Sequence, residues 1–159
     1  MSQLASIDGA TCLVTGSAGF VGSNLVRALL DRGCTVHGFD LAPATMTHPS
    51  LRWFQGDVRN FEDVREAAHG VDVVFHTAAM IATFTYAPES FAEFVRTVNV
   101  DGTQNVIRAA IEVGATRLVH TSSIITVPFD RPPGLGEPSE YSNASDLYSR
   151  SKVEAEKLV

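Results

Sequence analysis

Tyr148-Ser149-Arg150-Ser151-Lys152 places a phenol and an ammonium four positions apart, and on a helix that spacing puts both on one face. The pair suits proton transfer. An unperturbed tyrosine titrates near pH ~10, so a general base working near neutrality must be lowered by roughly 3 pH units, about 4 kcal/mol of differential stabilisation, and a nearby cation acts in that direction. At the other end of the chain, Thr15 to Gly22 reads Thr-Gly-Ser-Ala-Gly-Phe-Val-Gly. Where such a turn opens a helix, the free N–H groups of the first helical turn face a pyrophosphate and the glycines let the backbone approach it. Gly16, Ala18, Gly19, Phe20, Val21 and Gly22 are the expected cradle. Asp40 follows Gly22 by eighteen residues, where an acid can accept hydrogen bonds from an adenosine ribose. Leu41-Ala42-Pro43 comes next, with no Arg or Lys beside the acid to pair with a 2′-phosphate. A carboxylate repels that phosphate, so the expected cofactor is NAD rather than NADP.

These groups must be positioned by regular elements, and the hydrophobic spacing supplies them. Thr11 to Val14 is a short apolar run, the glycine turn follows, and Phe20 to Asp31 carries apolar residues at helical spacing. Gly33 ends that helix, and Thr35 to Phe39 reads as a second strand finishing on Asp40. The alternation continues with a strand over Leu51 to Gln55, a helix over Phe61 to Ala68, and an apolar strand over Val71 to Thr77. A long helix is predicted from about Glu89 to Val113, with Gly102 inside it marking close packing. Arg117 to Ser122 is a fifth strand, Pro128 to Pro138 a Pro/Gly-rich loop, and Leu147 onward a helix with no stop signal before Val159. Alternating strands and helices predict an α/β, doubly wound parallel sheet, the Rossmann fold, in strand order 3-2-1-4-5, with the ligand crevice between strands 1 and 4.

At 159 residues, with 45% hydrophobic and 19% charged side chains, the chain is expected to be one folded domain, residues 1–159. A formal charge of −6 without any basic run argues against nucleic acid as a partner. No apolar stretch has the length of a membrane span, about 18 residues, and Met1-Ser2-Gln3-Leu4-Ala5 lacks signal-peptide character, so the cytoplasm is the expected compartment. Cys12 and Cys34 fall in predicted strands and read as buried structural thiols. His37, His48, His69, His76 and His120 are scattered singly, so no metal site is expected.

Together these residues resemble the extended short-chain dehydrogenase/reductases, the NAD-dependent epimerase/dehydratase superfamily, over essentially the whole chain. The Gly-x-x-Gly-x-x-Gly spacing of Gly16 to Gly22 matches that family rather than other dinucleotide folds. Asp57-Val58 is similar to its adenine-contacting pair, and His76-Thr77-Ala78-Ala79 to the His-x-Ala-Ala segment lining the cofactor. Asn99-Val100-Asp101-Gly102-Thr103 resembles the block that contributes a structural Asn. Thr121-Ser122-Ser123 ends the fifth strand where the family places its active-site Ser, and Tyr148 with Lys152 completes the set. The family alignment favours Ser123, just before Ile124-Ile125, while Ser122 is adjacent and equally polar. His76 is expected to be a hydrogen-bonded residue of the cofactor pocket, neither acid nor base.

The segments Val98 to Val106 and Arg117 to Ile124 look most like the 3β-hydroxysteroid dehydrogenase and sterol dehydrogenase branch. That implies a hydrophobic, steroid- or sterol-like substrate, and the apolar stretch Met80 to Tyr86 suits either flanking it or packing under the next helix. The implied reaction is reversible hydride transfer. Tyr148 takes the proton of a secondary alcohol, Lys152 favours the phenolate and holds the nicotinamide ribose, Ser123 orients the oxygen, and Asn99 supports the local backbone and a proton-relay water. A nucleotide-sugar epimerase or dehydratase that retains NAD, and a non-catalytic dinucleotide-binding protein, are the alternatives. The family normally continues with a smaller substrate-binding portion. The expectation is therefore that residues beyond Val159 exist or that the strand-5 edge is buried in a homodimer or other contact, and that Leu147, Ser151, Ala155 and Leu158 lack packing partners.

Overall fold

A computed structural model describes residues 6–82, 88–128, 141–143 and 146–159. Five strands form one parallel sheet: β1 (Thr11–Thr15), β2 (Thr35–Asp40), β3 (Leu51–Gln55), β4 (Val73–His76) and β5 (Arg117–His120), in the order β3-β2-β1-β4-β5. The central strand β1 alternates across the two faces of the sheet. Cys12 and Val14 meet Val26 and Leu29 of α1 (Phe20–Asp31) on one face. Leu13 meets Val64 and Ala67 of α2 (Phe61–Ala68) and Val106 and Ala109 of α4 (Gly102–Glu112) on the other. Each such fully buried Leu or Val stabilises the fold by roughly 1.5–3 kcal/mol, which is why a strand covered on both faces reads as a continuous apolar run. Cys12 and Cys34 are free and fully buried, and burial beside Cys34 pushes the Cys12 thiol up to about 12, so they pack as small apolar groups.

The long helix predicted from Glu89 to Val113 is continuous in path but not in hydrogen bonding. It comprises α3 (Glu89–Arg96), a π-helical turn (Thr97–Asp101) and α4, and Gly102 N–H reaches back to the Thr97 carbonyl. Gly102 marks close packing as expected, since a Cβ there would lie 2.8 Å from Val58 Cγ2. β4 is shorter than predicted because Val71 N–H bonds to Ala68 O, closing α2 rather than joining the sheet. β5 stops at His120, the chain leaving the sheet after Thr121 N–H bonds to His76 O. The last helix, α5 (Leu147–Glu156), ends before Val159: Leu158 and Val159 donate to Ala155 and Glu156, tightening the final turn to three-residue spacing.

The expectation that the α5 face lacks packing partners is corrected at two of its four positions. Ser151 and Ala155 are buried where α5 meets the π-helical turn and the 3-10 turn at Ile124–Thr126. Leu158 is exposed, Leu147 is half-buried, and β5 forms the sheet edge with Val119 open to solvent. The predicted loop Pro128 to Pro138 lies, after Pro128, outside the described residues, as do Thr83 to Tyr86 of the apolar stretch.

Candidate functional site

The strand connections leave β1 in opposite directions, through α1 to β2 and, after β3, back across to β4. The carboxyl ends of β1 and β4 therefore open a crevice. A cleft of about 240 Å³ lies there, lined among others by Gly16, Gly19, Asp40, Asp57, Val58, Ala78 and Ala79. A larger depression of about 800 Å³ between α2 and the end of α4 contains none of these residues and is walled by charged groups such as Glu62, Glu66 and Glu112. The residues singled out in the sequence gather at the smaller one.

The glycines are dictated by close approach. Gly16 has φ +72°, and a Cβ on it would lie 2.7 Å from the Ala78 nitrogen, while a Cβ on Gly22 would lie 2.1 Å from the Gly16 carbonyl oxygen. The first intrahelical bond of α1 is Ser23 N–H to Gly19 O, 2.9 Å, so the N–H groups of Phe20, Val21 and Gly22 have no helical acceptor. Such a bare-backbone cradle fits a pyrophosphate. The Phe20 and Val21 side chains are exposed and do not line the cleft, leaving only their backbone for a ligand.

Asp40 Oδ2 accepts from Ala18 N–H at 2.9 Å and Oδ1 from Ala42 N–H at 3.0 Å. Each carboxylate oxygen keeps a second lone pair, so the acid can brace the glycine turn and still accept from a ribose. Sequence spacing gave no place in this cleft to Arg59, which lines it. Its Nε donates to Asp57 Oδ2 at 2.8 Å, its guanidinium lies 5.0 Å from the Phe94 ring centroid, and the pair holds the Asp57 carboxyl below its ordinary value. The only local signal was the two-residue spacing from Asp57, also bridged by Arg59 N–H to Asp57 Oδ1 at 2.9 Å. Asp57 is not the cap of α2: Asn60 caps that helix, accepting from Glu62 N–H at 3.1 Å.

His76 is hydrogen-bonded as expected, but it lies behind the cleft rather than in its wall. It is 1% exposed and absent from the cleft wall, and its ring nitrogens meet Thr15 Oγ1 at 2.7 Å and Thr103 Oγ1 at 3.0 Å. Burial first, then His120 and Lys152, push it down to about 3, so it is a neutral core imidazole.

On α5, Lys152 is 3% exposed and donates from Nζ to the Thr121 carbonyl at 2.6 Å. Burial lowers it from the ordinary lysine value, and Glu156, one turn along, acts in the opposite sense. The Ser122 hydroxyl donates to Glu156 Oε2, so its proton is committed to the helix. Ser123 Oγ accepts only a long 3.4 Å bond from Ile125 N–H and keeps its proton free among the described contacts. Tyr148 is half-buried, with no hydroxyl partner among the described residues. Asn99, in the π-helical turn, accepts from Met80 N–H at 2.7 Å and donates to Met80 O at 2.9 Å and to Ser151 Oγ at 2.8 Å. The arrangement brings α5, with Tyr148 and Lys152, to the end of β5, and Ser151 ties it through Asn99 to Met80 in the cleft wall.

Comparison with known proteins gives the same picture. Residues 13–159 match the model of the 3-beta hydroxysteroid dehydrogenase/isomerase family. A 3-beta-hydroxysteroid dehydrogenase of Mycolicibacterium neoaurum is 43% identical over 157 residues, covering 92% of this chain and 42% of the relative. Among solved structures, a short-chain dehydrogenase/reductase superfamily protein from Agrobacterium tumefaciens with bound NAD superposes with TM-score 0.76 at 33% identity, over 93% of this chain and 43% of that one. MoeE5 in complex with UDP-glucose and NAD superposes with TM-score 0.76 at 29% identity, over 93% and 47%. The chain thus spans less than half the length of these proteins.

Proposed function

The chain belongs to the 3-beta hydroxysteroid dehydrogenase/isomerase family, and on that premise we propose that it carries the NAD-binding and proton-transfer portion of an oxidoreductase acting on a hydrophobic secondary alcohol, a 3β-hydroxysteroid or sterol. The observation that carries this reading is the meeting of the glycine cleft, with Asp40 in its wall, and the α5 helix bearing Tyr148 and Lys152, at the carboxyl end of the sheet.

NAD, when bound, supplies the hydride acceptor. The first-turn N–H groups of α1 hold the pyrophosphate, Asp40 the adenosine ribose, and Asp57 and Val58 border the adenine. Tyr148 Oη takes the proton of the substrate hydroxyl, and Ser123 Oγ holds the substrate oxygen. Lys152 keeps a positive charge at the end of β5. Ile81 and Ile124, which follow Met80 and Ser123, are 70% and 82% exposed, aliphatic surface that suits a steroid better than a sugar. The open β5 edge is the surface for a second copy or for further strands. No helix among the described residues is long and apolar enough to cross a membrane. A cytoplasmic location belongs to the same reading, and cell fractionation checks it.

The test is to incubate the intact natural chain with NAD and a 3β-hydroxysteroid and to follow NADH. Turnover is expected, and Tyr148→Phe should reduce it at least about 100-fold while NAD affinity is retained, since only the proton acceptor is lost. The nucleotide-sugar reading is favoured by the likeness to MoeE5 with UDP-glucose. NAD that copurifies and stays bound, with conversion of a UDP-sugar and none of a steroid, would establish it instead.

A further inference from the structure

His76 sits in a hydrogen-bond chain that has one direction throughout. Thr103 has a single hydroxyl proton and gives it to the Asn99 carbonyl, 2.6 Å away. Its oxygen therefore accepts from His76, which fixes the proton on Nε2 at 3.0 Å. Nδ1 is then the acceptor for the Thr15 hydroxyl at 2.7 Å, and the Thr15 oxygen accepts in turn from Ala78 N–H at 3.3 Å. A second limb runs from the Asn99 side chain to Ser151 Oγ at 2.8 Å, and from Ser151 to the Tyr148 carbonyl at 2.7 Å. Met80 clamps the Asn99 amide from both sides, so its orientation has no alternative.

Thr15, His76, Asn99, Thr103 and Ser151 are all at least 97% buried. In that setting no water can replace a missing partner, so breaking one bond strands a donor or acceptor in the interior. The charged or titratable groups facing His76 are His120 on β5, with ring centroids 5.4 Å apart, and Lys152 on α5, and both oppose a second proton on the ring.

We propose that His76, Thr103 and Ser151 are positioning residues: as a one-directional relay from the β1 and β4 strand ends through the π-helical turn, they set the backbone of Tyr148 relative to the cofactor cleft. Ala78, at one end, lines the cleft, and Tyr148, at the other, carries the phenol. The π-helical turn is the joint. It presents the Asn99 carbonyl to Thr103 and the Asn99 amide to Met80 and Ser151 together.

The kinetic test rests on the proposed dehydrogenase activity, and the spectroscopic one does not. In the intact chain, Thr103→Val keeps the shape and removes the hydroxyl. It is expected to lower kcat about tenfold with KM for NAD changed less than about twofold, and Thr103→Ser to bring kcat back within about twofold. NMR of ring-nitrogen-labelled histidine should show His76 as the neutral Nε2–H tautomer from about pH 5 to about pH 8, and Thr103→Val should disturb that signal. Ser151→Ala, which cuts only the second limb, should lower kcat and leave the tautomer intact. Wild-type kcat in Thr103→Val, a loss that Thr103→Ser does not repair, or an Nδ1–H or doubly protonated His76 in the parent would overturn the relay. Absence of steroid turnover in a parent showing the Nε2–H tautomer would instead count against the proposed reaction, with the tautomer responses of the two variants still deciding the relay.

Discussion

Asp40 illustrates how one side chain can brace the fold and still face the cleft. Its two oxygens hold Ala18 N–H of the glycine turn and Ala42 N–H of its own loop, so the carboxylate stands at the cleft wall in a fixed pose. Asp40→Ala is expected to weaken NAD binding about tenfold and to narrow its advantage over NADP, because it removes both the ribose acceptor and the charge that repels a 2′-phosphate. Titrating both cofactors into parent and variant checks this, and a parent that prefers NADP would contradict it. Arg59 lines the same cleft but is tied to Asp57 and lies across Phe94, so a nearby cation does not by itself provide a phosphate site. The adjacent serines divide in a similar way, with the Ser122 hydroxyl donating to Glu156 and Ser123 Oγ accepting from Ile125 N–H.

The element that carries both Tyr148 and Lys152 is α5, a ten-residue helix. Its amino end is held by Asp146, whose Oδ1 accepts from Ser149 N–H at 2.9 Å and Oδ2 from Ser149 Oγ at 2.5 Å. Its other end is pinned to the segment that follows β5 by the Lys152 bond to Thr121 O and the Ser122 bond to Glu156. A helix this short is marginal on propensity alone, so the cap and these pins decide its order. Asp146→Ala should cost about 1 kcal/mol and speed hydrogen exchange in the first turn, with a fall in kcat, because Tyr148 belongs to that turn. Exchange rates equal to the parent's would show that packing against α3 and the π-helical turn suffices without the cap.

The molecule as a whole buries several imidazoles in their neutral form. His76 is pushed down to about 3 and His120 to about 4, chiefly by burial, and His37 is also lowered. In the unfolded chain these rings take up protons near pH ~6.5, so between that value and the folded ones the unfolded state binds more protons. Their contribution to stability is complete above pH ~6.5 and declines as the pH falls toward 4 and then 3. Acidification from about pH 7 to about pH 5 should therefore lower stability by on the order of 2 kcal/mol, seen as a falling Tm, and a flat profile over that range would refute it. The sheet that buries them was legible in the order of residues. Apolar runs at Thr11–Thr15 and Thr35–Asp40, helical spacing over Phe20–Asp31 and glycines at Gly16 and Gly22 are local signals, and local periodicity states which residues share a face. The Tyr148 and Lys152 pair was legible for the same reason. Periodicity does not say what a side chain at the end of a strand will find. His76 turned from the cleft to Thr15, sixty-one residues away, and Asn99 to Ser151, fifty-two residues away. The π-helical turn likewise differs from an α-turn by one residue of hydrogen-bond spacing, in a segment where Asn99 is clamped by Met80 and Ser151 from outside the helix. Buried polar groups must be satisfied by whichever partners the fold delivers, so their directions were settled by the tertiary structure alone.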